Sequence, residues 1–238
     1  MIPKIIHYIW LGGKPLPKIA EKCIKSWKKY CPDYEIKRWD ETNLDIDKYQ
    51  FAKDAYDAKK FAFASDVLRT VILYNEGGIY LDIDVELLKP IDELVKVGNF
   101  GGFETSNLLA PGLIWTVEPG DNCIKEILNI YKVLKFDENN CKTNTICAIF
   151  SNYFSEKGLM LNNKTQKICN YTFYSSEYFS PIDVITSKKK ITKNTYSIHW
   201  YNASWYTPKQ RVLKTIKRIA NICTFGLAGK LYNKRFKK

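Results

Sequence analysis

The chain lacks the features that mark secreted, disulfide-stapled or membrane-spanning proteins. Its 238 residues include seven Cys but no Cys-x-x-Cys pair, and an odd number of Cys at scattered spacing is a poor disulfide framework. No apolar stretch approaches the length that a membrane span needs. No apolar segment of the signal-peptide type follows the charge at Lys4. We therefore expect a soluble protein of a reducing cytoplasm, which touches a membrane only from outside.

Acidic residues are missing from the end of the chain. Residues 209–238 contain ten Lys or Arg and no Asp or Glu, within a net charge of +12 for the whole chain. The rest carries 27 basic against 25 acidic residues and is nearly neutral. A nucleic-acid-binding module, one alternative function, would have its basic residues arranged along the folded domain. The charge distribution therefore disfavours it.

The basic segment also has a helical pattern. Apolar residues from Val212 to Cys223 recur at helical spacing, with Lys and Arg between them. Such a segment is typical of a membrane-surface anchor, in which each basic residue contributes about 1 kcal/mol near anionic lipid. The alternative is a terminal helix that packs on the domain and exposes its basic face. We predict a catalytic domain over residues 1–208 and a basic amphipathic segment over 209–238.

The remaining sequence predicts one α/β domain. Its composition, 45% hydrophobic and 14% aromatic, is sufficient for a core. The chain opens with a strand over 4–10, a helix over 19–27 and a strand over 34–39, the order of a nucleotide-binding fold. A long helix is predicted over 54–75. The later predicted strands are 79–81, 100–103, 113–117, 171–174 and 196–198, and the later helices are 121–134 and 144–154.

The most informative stretch is residues 77–84, with the sequence Gly-Gly-Ile-Tyr-Leu-Asp-Ile-Asp. An apolar strand here leads directly into Asp82 and Asp84. Open α/β sheets bind their ligands at the carboxyl ends of strands. Two carboxylates there suit Mg²⁺ or Mn²⁺ together with substrate phosphates. The alternative is an edge strand that leaves the core through polar residues.

Three further features gain meaning from this motif. Trp10 ends the first strand, where it could stack on a nucleotide base or simply cap the core. Asp66 and Arg69 lie three apart on one helical face, as an ordinary ion pair or as ligands for sugar and phosphate oxygens. His199, one of only two His, could complete a metal site or be structural.

In order and spacing, three blocks resemble the glycosyltransferases of family 32, whose sugar-binding region contains the DXD motif. The blocks are residues 2–10, 64–69 and 77–84, and residues 199–205 match more loosely. The family includes initiating mannosyltransferases, capsular polysaccharide transferases and, distantly, glucosylating toxins. The resemblance implies a GT-A fold, a single Rossmann-like nucleotide-binding α/β domain with a mixed central sheet. It also implies a nucleotide-sugar donor and a divalent metal, Mn²⁺ or Mg²⁺.

The resemblance also implies a role for each matched residue. In the family's pattern Trp10 stacks on the base, Asp84 ligates the metal directly and Asp82 reaches the ribose or sugar and the metal's waters. The implied catalytic residues are Asp66, Arg69, Asp82 and Asp84. The implied metal ligands are Asp82, Asp84 and His199. The implied donor-binding residues are Trp10, Leu11, Gly12, Asp66, Arg69, Asp82, Ser204 and Trp205.

We accordingly expect a hexosyltransferase that uses a UDP-sugar, with a GDP-sugar as the alternative donor. The acceptor would be a glycan or a lipid-linked sugar in surface polysaccharide synthesis, and transfer would retain the anomeric configuration. The enzyme would work in the cytoplasm at the inner face of the cell membrane, without nucleic acid. Asn107, Gly112 and the turn at 119–122 are candidates for the acceptor side.

The Asp-x-Asp stretch has two other interpretations. A haloacid-dehalogenase-type phosphatase would use the first Asp as a nucleophile, but it expects Thr or Val where this chain has Glu86. It also expects a later acidic pair, and Asp121 has no acidic neighbour in sequence. A catalytically inactive sugar-binding relative is disfavoured because all four implied catalytic residues are present.

Overall fold

A computed structural model describes residues 1–105, 107–138, 144–182 and 189–201. It confirms the predicted α/β class with a mixed central sheet. The strands are β1 (Ile5–Ile9), β2 (Glu35–Trp39), β3 (Gly78–Tyr80), β4 (Val85–Leu87), β5 (Asn99–Thr105), β6 (Leu108–Leu109), β7 (Trp115–Val117), β8 (Gln166–Ile168), β9 (Tyr171–Tyr174) and β10 (Ser197–His199). The helices are α1 (Lys18–Tyr30), α2 (Gln50–Asp57), α3 (Phe61–Glu76), α4 (Asp92–Val95), α5 (Asn122–Val133), α6 (Ile146–Glu156) and α7 (Ser176–Phe179).

The main sheet has the strand order β2-β1-β3-β7-β5-β9-β8, with β6 paired to β5. Strand β1 is parallel to both β2 and β3, whereas β7 is antiparallel to both β3 and β5. It follows that β1, β3 and β5 all run in one direction. Their carboxyl ends therefore meet at one edge of the sheet, where an open α/β protein binds its ligand.

Helices cover both faces of this sheet. On one face α3, α5 and α6 enclose an apolar cluster that includes Val67, Leu68 and Phe150. On the other face α1 packs against β4, and Cys23 and Trp27 are fully buried. Burial of one side of α3 fixes the rotation of that helix and with it the direction of its polar residues.

The prediction of one helix over 54–75 is wrong. Helix α2 ends at Asp57 and α3 begins at Phe61. Between them Lys59 has a positive φ of 58°, a conformation that a helix cannot continue through. The Lys60 N–H donates to the Ala55 carbonyl at 2.8 Å, the bond that closes a Schellman-type helix end. Apolar periodicity runs on through this break, and Lys rather than Gly occupies the left-handed position, so the sequence did not reveal it.

A second, two-stranded sheet lies beside the main one. Strand β4 follows Asp84 directly and pairs antiparallel with β10, so that Val85 lies opposite His199. The sequence predicted most of β10 but not β4. This pairing returns the late part of the chain to the Asp-x-Asp connection.

All the named strands and helices belong to one compact unit, Met1–Pro181 together with Ile191–Asn202. In the second unit the described residues are Ile182, Lys189 and Lys190, and an isolated β-bridge joins Ile182 to Lys189. Among the residues that the structure describes, no helix combines the length and apolarity needed to cross a bilayer. The predicted basic segment over 209–238 lies outside the described residues, so the division at residue 208 stays a prediction.

Candidate active site

The two aspartates lie in the connection between β3 and β4. The Leu81 N–H donates to the His7 carbonyl at 3.1 Å, and the Asp82 N–H donates to the Gly112 carbonyl at 2.9 Å. The connection is therefore tied to β1 on one side and to the turn before β7 on the other. Both Asp82 and Asp84 are held at the carboxyl edge of the sheet.

His199 meets Asp84 across the small sheet. Its Nε2 lies 3.0 Å from Asp84 Oδ1, and the next residue, Trp200, donates its N–H to the Asp84 carbonyl at 3.0 Å. Both side chains are buried, with Asp84 3% and His199 8% exposed. Burial opposes a charge on the imidazole, but the adjacent Asp84 carboxylate outweighs it and raises the pKa of His199. The two residues are 115 positions apart in sequence.

Asp82, Asp84 and His199 fit a divalent cation. One ligand atom from each residue lies within 4.8 Å of the other two. His199 Nδ1 is buried and, among the described residues, has no hydrogen-bond partner, which is costly unless a ligand satisfies it. The two carboxylates suit Mg²⁺ or Mn²⁺, and the imidazole adds a nitrogen ligand of the kind that transition metals accept. The residues therefore agree with the divalent metal that the DXD family implies.

Arg69 connects this group to α3. Its guanidinium lies 3.1 Å from Asp66 Oδ1 and 3.1 Å from Asp82 Oδ1, and it stacks over the Tyr80 ring at 4.5 Å. Burial disfavours the charge, but Asp82 and the other acidic neighbours raise the pKa of Arg69 above its ordinary value. Asp66 and Arg69 do form an ion pair, but it is buried beside Asp82 and is not an ordinary solvated pair on the surface.

Asp66 is held from a second side by α6. Its Oδ2 accepts the main-chain N–H of Ile146, the first residue of that helix, at 3.0 Å. Burial raises the pKa of Asp66 to about 6, against the opposing effect of Arg69. A carboxylate fixed in this way presents its remaining lone pairs in one direction, which is suited to accepting hydrogen bonds from hydroxyl groups.

Trp10 follows β1 at the same edge of the sheet. It is partly buried, and its indole Nε1 donates to the Lys14 carbonyl at 2.5 Å. Leu11 is in the core, so only its main chain is available to a donor. Gly12 has a φ of 91°, and a Cβ there would lie 2.6 Å from the Phe61 ring. Base stacking by Trp10 stays a prediction. Ser204 and Trp205 lie outside the described residues.

The structure adds residues that the sequence analysis did not single out. Tyr80 donates its hydroxyl to Asp82 Oδ1 at 3.2 Å. Glu104, near the end of β5, acts electrostatically on His199 and Tyr201, and the Tyr201 hydroxyl also lies 2.6 Å from Ser180 Oγ. The available signals were an acidic residue at a strand end and a Tyr two places after the late His. Only the strand order shows that these ends meet.

The candidate acceptor residues lie in different parts of the structure. Gly112 lies against the site, because a Cβ there would be only 2.1 Å from Asp82 Oδ2. Asn107 lies in the turn after β5, where its side chain accepts the Thr105 hydroxyl. The turn at 119–122 lies away from the aspartates, since Pro119 lies against Gly77 at the opposite end of β3, and its acceptor role stays a prediction. Asp121 in that turn caps α5 by accepting the Ile124 N–H.

Comparison with known proteins confirms the family resemblance. Residues 17–100 match the family described as "Glycosyltransferase sugar-binding region containing DXD motif". The matched region contains Asp66, Arg69, Asp82 and Asp84. This match favours glycosyl transfer over the phosphatase and nucleic-acid-binding alternatives.

Two relatives and one solved structure extend the comparison. Inositol phosphoceramide mannosyltransferase 3 of Schizosaccharomyces pombe is 35% identical over 101 residues, which cover 40% of this chain and 27% of that protein. Glycosyltransferase L373 of Acanthamoeba polyphaga mimivirus is 27% identical over 222 residues, which cover 86% of this chain and 84% of the viral protein. The PaToxG glycosyltransferase structure aligns with a TM-score of 0.51 and 19% identity over 66% of this chain and 70% of its own. This alignment confirms the expected GT-A fold. The chain spans about a quarter of the length of the mannosyltransferase.

Proposed function

Because the chain carries the sugar-binding region of the DXD glycosyltransferases, we propose that it transfers a hexose from a nucleotide sugar to a glycan or lipid-linked acceptor. The observation that carries this proposal is the convergence of Asp82, Asp84 and His199 within 4.8 Å beside the buried Arg69. A UDP-sugar is the favoured donor and a GDP-sugar the alternative. The relative named a mannosyltransferase makes mannose one sugar to include in any donor screen.

The proposed metal is Mn²⁺ or Mg²⁺, held by Asp84 and His199 with Asp82 beside it. Such an ion, when bound, would offset the negative charge that develops on the leaving diphosphate. The protein's part is to keep three ligand atoms together before the ion arrives. The main-chain bonds of the β3–β4 connection and the pairing of β4 with β10 support this role.

Arg69 and Asp66 are proposed to bind the donor. Arg69 is already oriented by two carboxylates, so it can donate to sugar or phosphate oxygens without losing further side-chain freedom. Asp66 would accept sugar hydroxyls. Negative charge near the anomeric carbon also favours the oxocarbenium-like transition state of glycosyl transfer. We propose retention of configuration, with the leaving phosphate itself taking the acceptor proton and no separate general base.

We further propose that the enzyme acts in surface polysaccharide synthesis, in the cytoplasm and at the inner face of the membrane. The support is the composition of residues 209–238, with ten basic and no acidic residues. A basic segment of this kind would bring the active site to lipid-linked acceptors without a membrane span.

The proposal is tested by screening nucleotide sugars for hydrolysis in the presence of Mn²⁺. We expect one donor to release free sugar, and we expect Asp84→Asn to abolish both this turnover and metal-dependent donor binding. The substitution removes a charged ligand but keeps the side-chain volume and an oxygen beside His199, so the protein should stay folded, with a melting temperature lowered by the loss of one partner of a buried pair.

Asp33→Asn is the control, because Asp33 is an exposed acid paired with Lys4 away from the site. It should keep wild-type turnover. Normal turnover in Asp84→Asn would overturn the metal assignment, and no hydrolysis of any donor by the wild-type protein would overturn the proposed function.

A further inference from the structure

A compact polar cluster lies behind the proposed metal site. It consists of Lys22 on α1, Glu86 on β4 and Trp200 directly after β10, and we refer to it as the Glu86 cluster. The Trp200 indole Nε1 donates to Glu86 Oε2 at 2.9 Å, and Lys22 Nζ lies 2.7 Å from the same oxygen. Lys22 also lies over the Trp200 ring, 4.6 Å from its centre. The cluster thus joins three separate elements.

Two members of the cluster are close in sequence to the proposed metal ligands. Glu86 lies two positions after Asp84, and Trp200 immediately follows His199. Trp200 is held at two points on its own residue, by its N–H to the Asp84 carbonyl and by its indole to Glu86. His199 therefore leaves β10 in a backbone direction that the Glu86 cluster fixes.

Within the described part of the chain, the His199 ring packs against the Tyr201 ring, with 4.2 Å between their centres, and its backbone pairs with Val85. Its Nε2 contacts Asp84 Oδ1, but its buried Nδ1 has no hydrogen-bond partner there. Metal-ligating His residues are normally oriented by groups outside the ligand set, and loss of such a group typically lowers metal affinity 10–100-fold. For this imidazole, the backbone that Trp200 anchors adds to the restraint from the Tyr201 ring and from the pairing of β10 with β4.

The negative charge of Glu86 contributes little to the metal site. Lys22 already neutralises this carboxylate at 2.7 Å, so its field at the metal position is small. What Glu86 provides is an acceptor oxygen at a fixed place for the Trp200 indole. An uncharged side chain of the same shape with an oxygen there should serve equally well.

We infer that Glu86 is a positioning residue of the metal site, which sets the orientation of His199 through its hydrogen bond to Trp200. This inference rests on the proposed metal-dependent function. It assigns to the Glu86 cluster a part in metal affinity, although none of its members is a ligand.

The test measures Mn²⁺ binding to the purified full-length protein by calorimetry, without any donor. We expect Glu86→Ala and Trp200→Phe each to raise the Mn²⁺ dissociation constant roughly 10-fold. The double variant should bind Mn²⁺ about as tightly as either single variant, because both substitutions remove the same hydrogen bond. Glu86→Gln should bind like the wild type, since its amide oxygen still accepts the indole N–H.

The matched control is Glu76→Ala. Glu76 pairs with Lys37 at 2.7 Å, and Lys37 lies over the Trp39 ring at 4.4 Å, whereas the Trp39 indole donates to His7 and not to Glu76. The control therefore removes a comparable Lys–Glu pair beside a Trp, without a Glu–indole bond and away from the aspartates. It should leave Mn²⁺ affinity unchanged.

Wild-type affinity in both Glu86→Ala and Trp200→Phe, or additive losses in the double variant, would overturn the inference and leave the metal site intact. The same loss in Glu86→Gln as in Glu86→Ala would overturn it as well, by showing that charge rather than position matters. Absence of Mn²⁺ binding in the wild type would overturn the metal assignment itself and the inference with it.

Discussion

Among the described residues, Arg69 forms ion pairs with two acidic groups of the site, Asp66 and Asp82. Its side chain is 7% exposed, and those of Asp66 and Asp82 are 10% and 19% exposed. A buried ion pair gains little over apolar packing, but removal of one partner leaves an uncompensated charge. Arg69 therefore lies between two carboxylates and holds them close together before any ligand binds.

Arg69→Met should destabilise the protein by roughly 3–5 kcal/mol at neutral pH. Part of this loss should return as the pH falls from 7.5 to 5, because protonation removes the unpaired charge, and burial holds the pKa of Asp66 at about 6 even with Arg69 beside it. Urea denaturation at the two pH values measures this. Lys37→Met is the control and should cost less than about 1 kcal/mol, since its pair with Glu76 is about a third exposed. Equal losses in the two variants would contradict the structural role of Arg69.

Unlike His199, the buried His7 in β1 is held in its neutral form. The Trp39 indole donates to its Nδ1 at 3.0 Å, and its Nε2 donates to the Gly77 carbonyl at 2.9 Å. This pattern requires the neutral imidazole with its proton on Nε2. Burial lowers the pKa of His7 to about 4.

His7 should make the protein less stable in mild acid. Below pH 6.5 the unfolded chain binds a proton at His7, whereas the folded protein does so only near pH 4. The free energy of unfolding should therefore fall across this window by up to about 1.4 kcal/mol per pH unit. Chemical denaturation of the wild type and His7→Gln between pH 7 and 4 isolates this effect, because His199 contributes to both proteins. Identical pH slopes would show that the fold does not lower the pKa of His7.

At the level of elements, the site depends on close approach between the β3–β4 connection and the turn before β7. Gly112 accepts the Asp82 N–H with its carbonyl and leaves no room for a side chain. A Cβ at this position would be 2.1 Å from Asp82 Oδ2 and 3.1 Å from Arg69 Nη1. The missing side chain thus creates the space that Asp82 occupies.

Gly112→Ala should move the Asp82 carboxylate and lower turnover of the identified donor about 100-fold, the typical cost of an ångström-scale misplacement. Kinetics at saturating Mn²⁺, with the melting temperature alongside, measure the change. Gly101→Ala is the control, because its new methyl group would meet Phe173 at 3.3 Å, on another strand pair. If both variants lose activity only in proportion to stability, Gly112 has no particular relation to the site.

The elements that the sequence predicted well are those with a local pattern. The strand at residues 171–174 has the bounds of β9, and the first strand and first helix differ from β1 and α1 by a few residues at their ends. Strand β4 was not predicted because three residues with Glu86 at the centre carry no period of their own. Its structure comes from pairing with β10, more than 100 residues later.

The same distinction holds for the site. Asp82 and Asp84 were visible because they end an apolar run, and Trp10 because it precedes a glycine turn. The contact of Gly112 with Asp82 and the position of Glu104 near His199 depend on the order of strands across the sheet. No local pattern encodes that order, so the part these residues play could be identified only from the fold.

At the scale of the whole molecule, the excess positive charge and the predicted donor and metal residues lie in different parts of the chain. The motifs for donor and metal lie before residue 209, and nearly all of the excess positive charge follows it. We therefore expect membrane association and donor hydrolysis to be separable.

Full-length protein should bind anionic vesicles at low salt and dissociate steeply as salt rises, because exposed charges are screened within about 10 Å at 0.1 M ionic strength. Replacing three tail cations, Lys214, Lys217 and Arg218, with Gln should weaken sedimentation with vesicles but preserve hydrolysis. The control replaces the exposed α1 residues Lys25, Lys28 and Lys29 with Gln, an equal change in charge. Equal loss in both variants would mean that binding follows total charge rather than the tail.

The distance in sequence between Asp84 and His199 has a consequence during synthesis. The two residues are 115 positions apart, and at about 5–20 residues per second a ribosome needs roughly 6–23 s to pass from one to the other. A nascent chain thus carries both aspartates long before it has their imidazole partner. A protein clipped before β10 would remain in that incomplete condition. The capacity to bind the metal tightly, and to turn over a costly activated sugar, would then arise only in chains whose translation has passed β10.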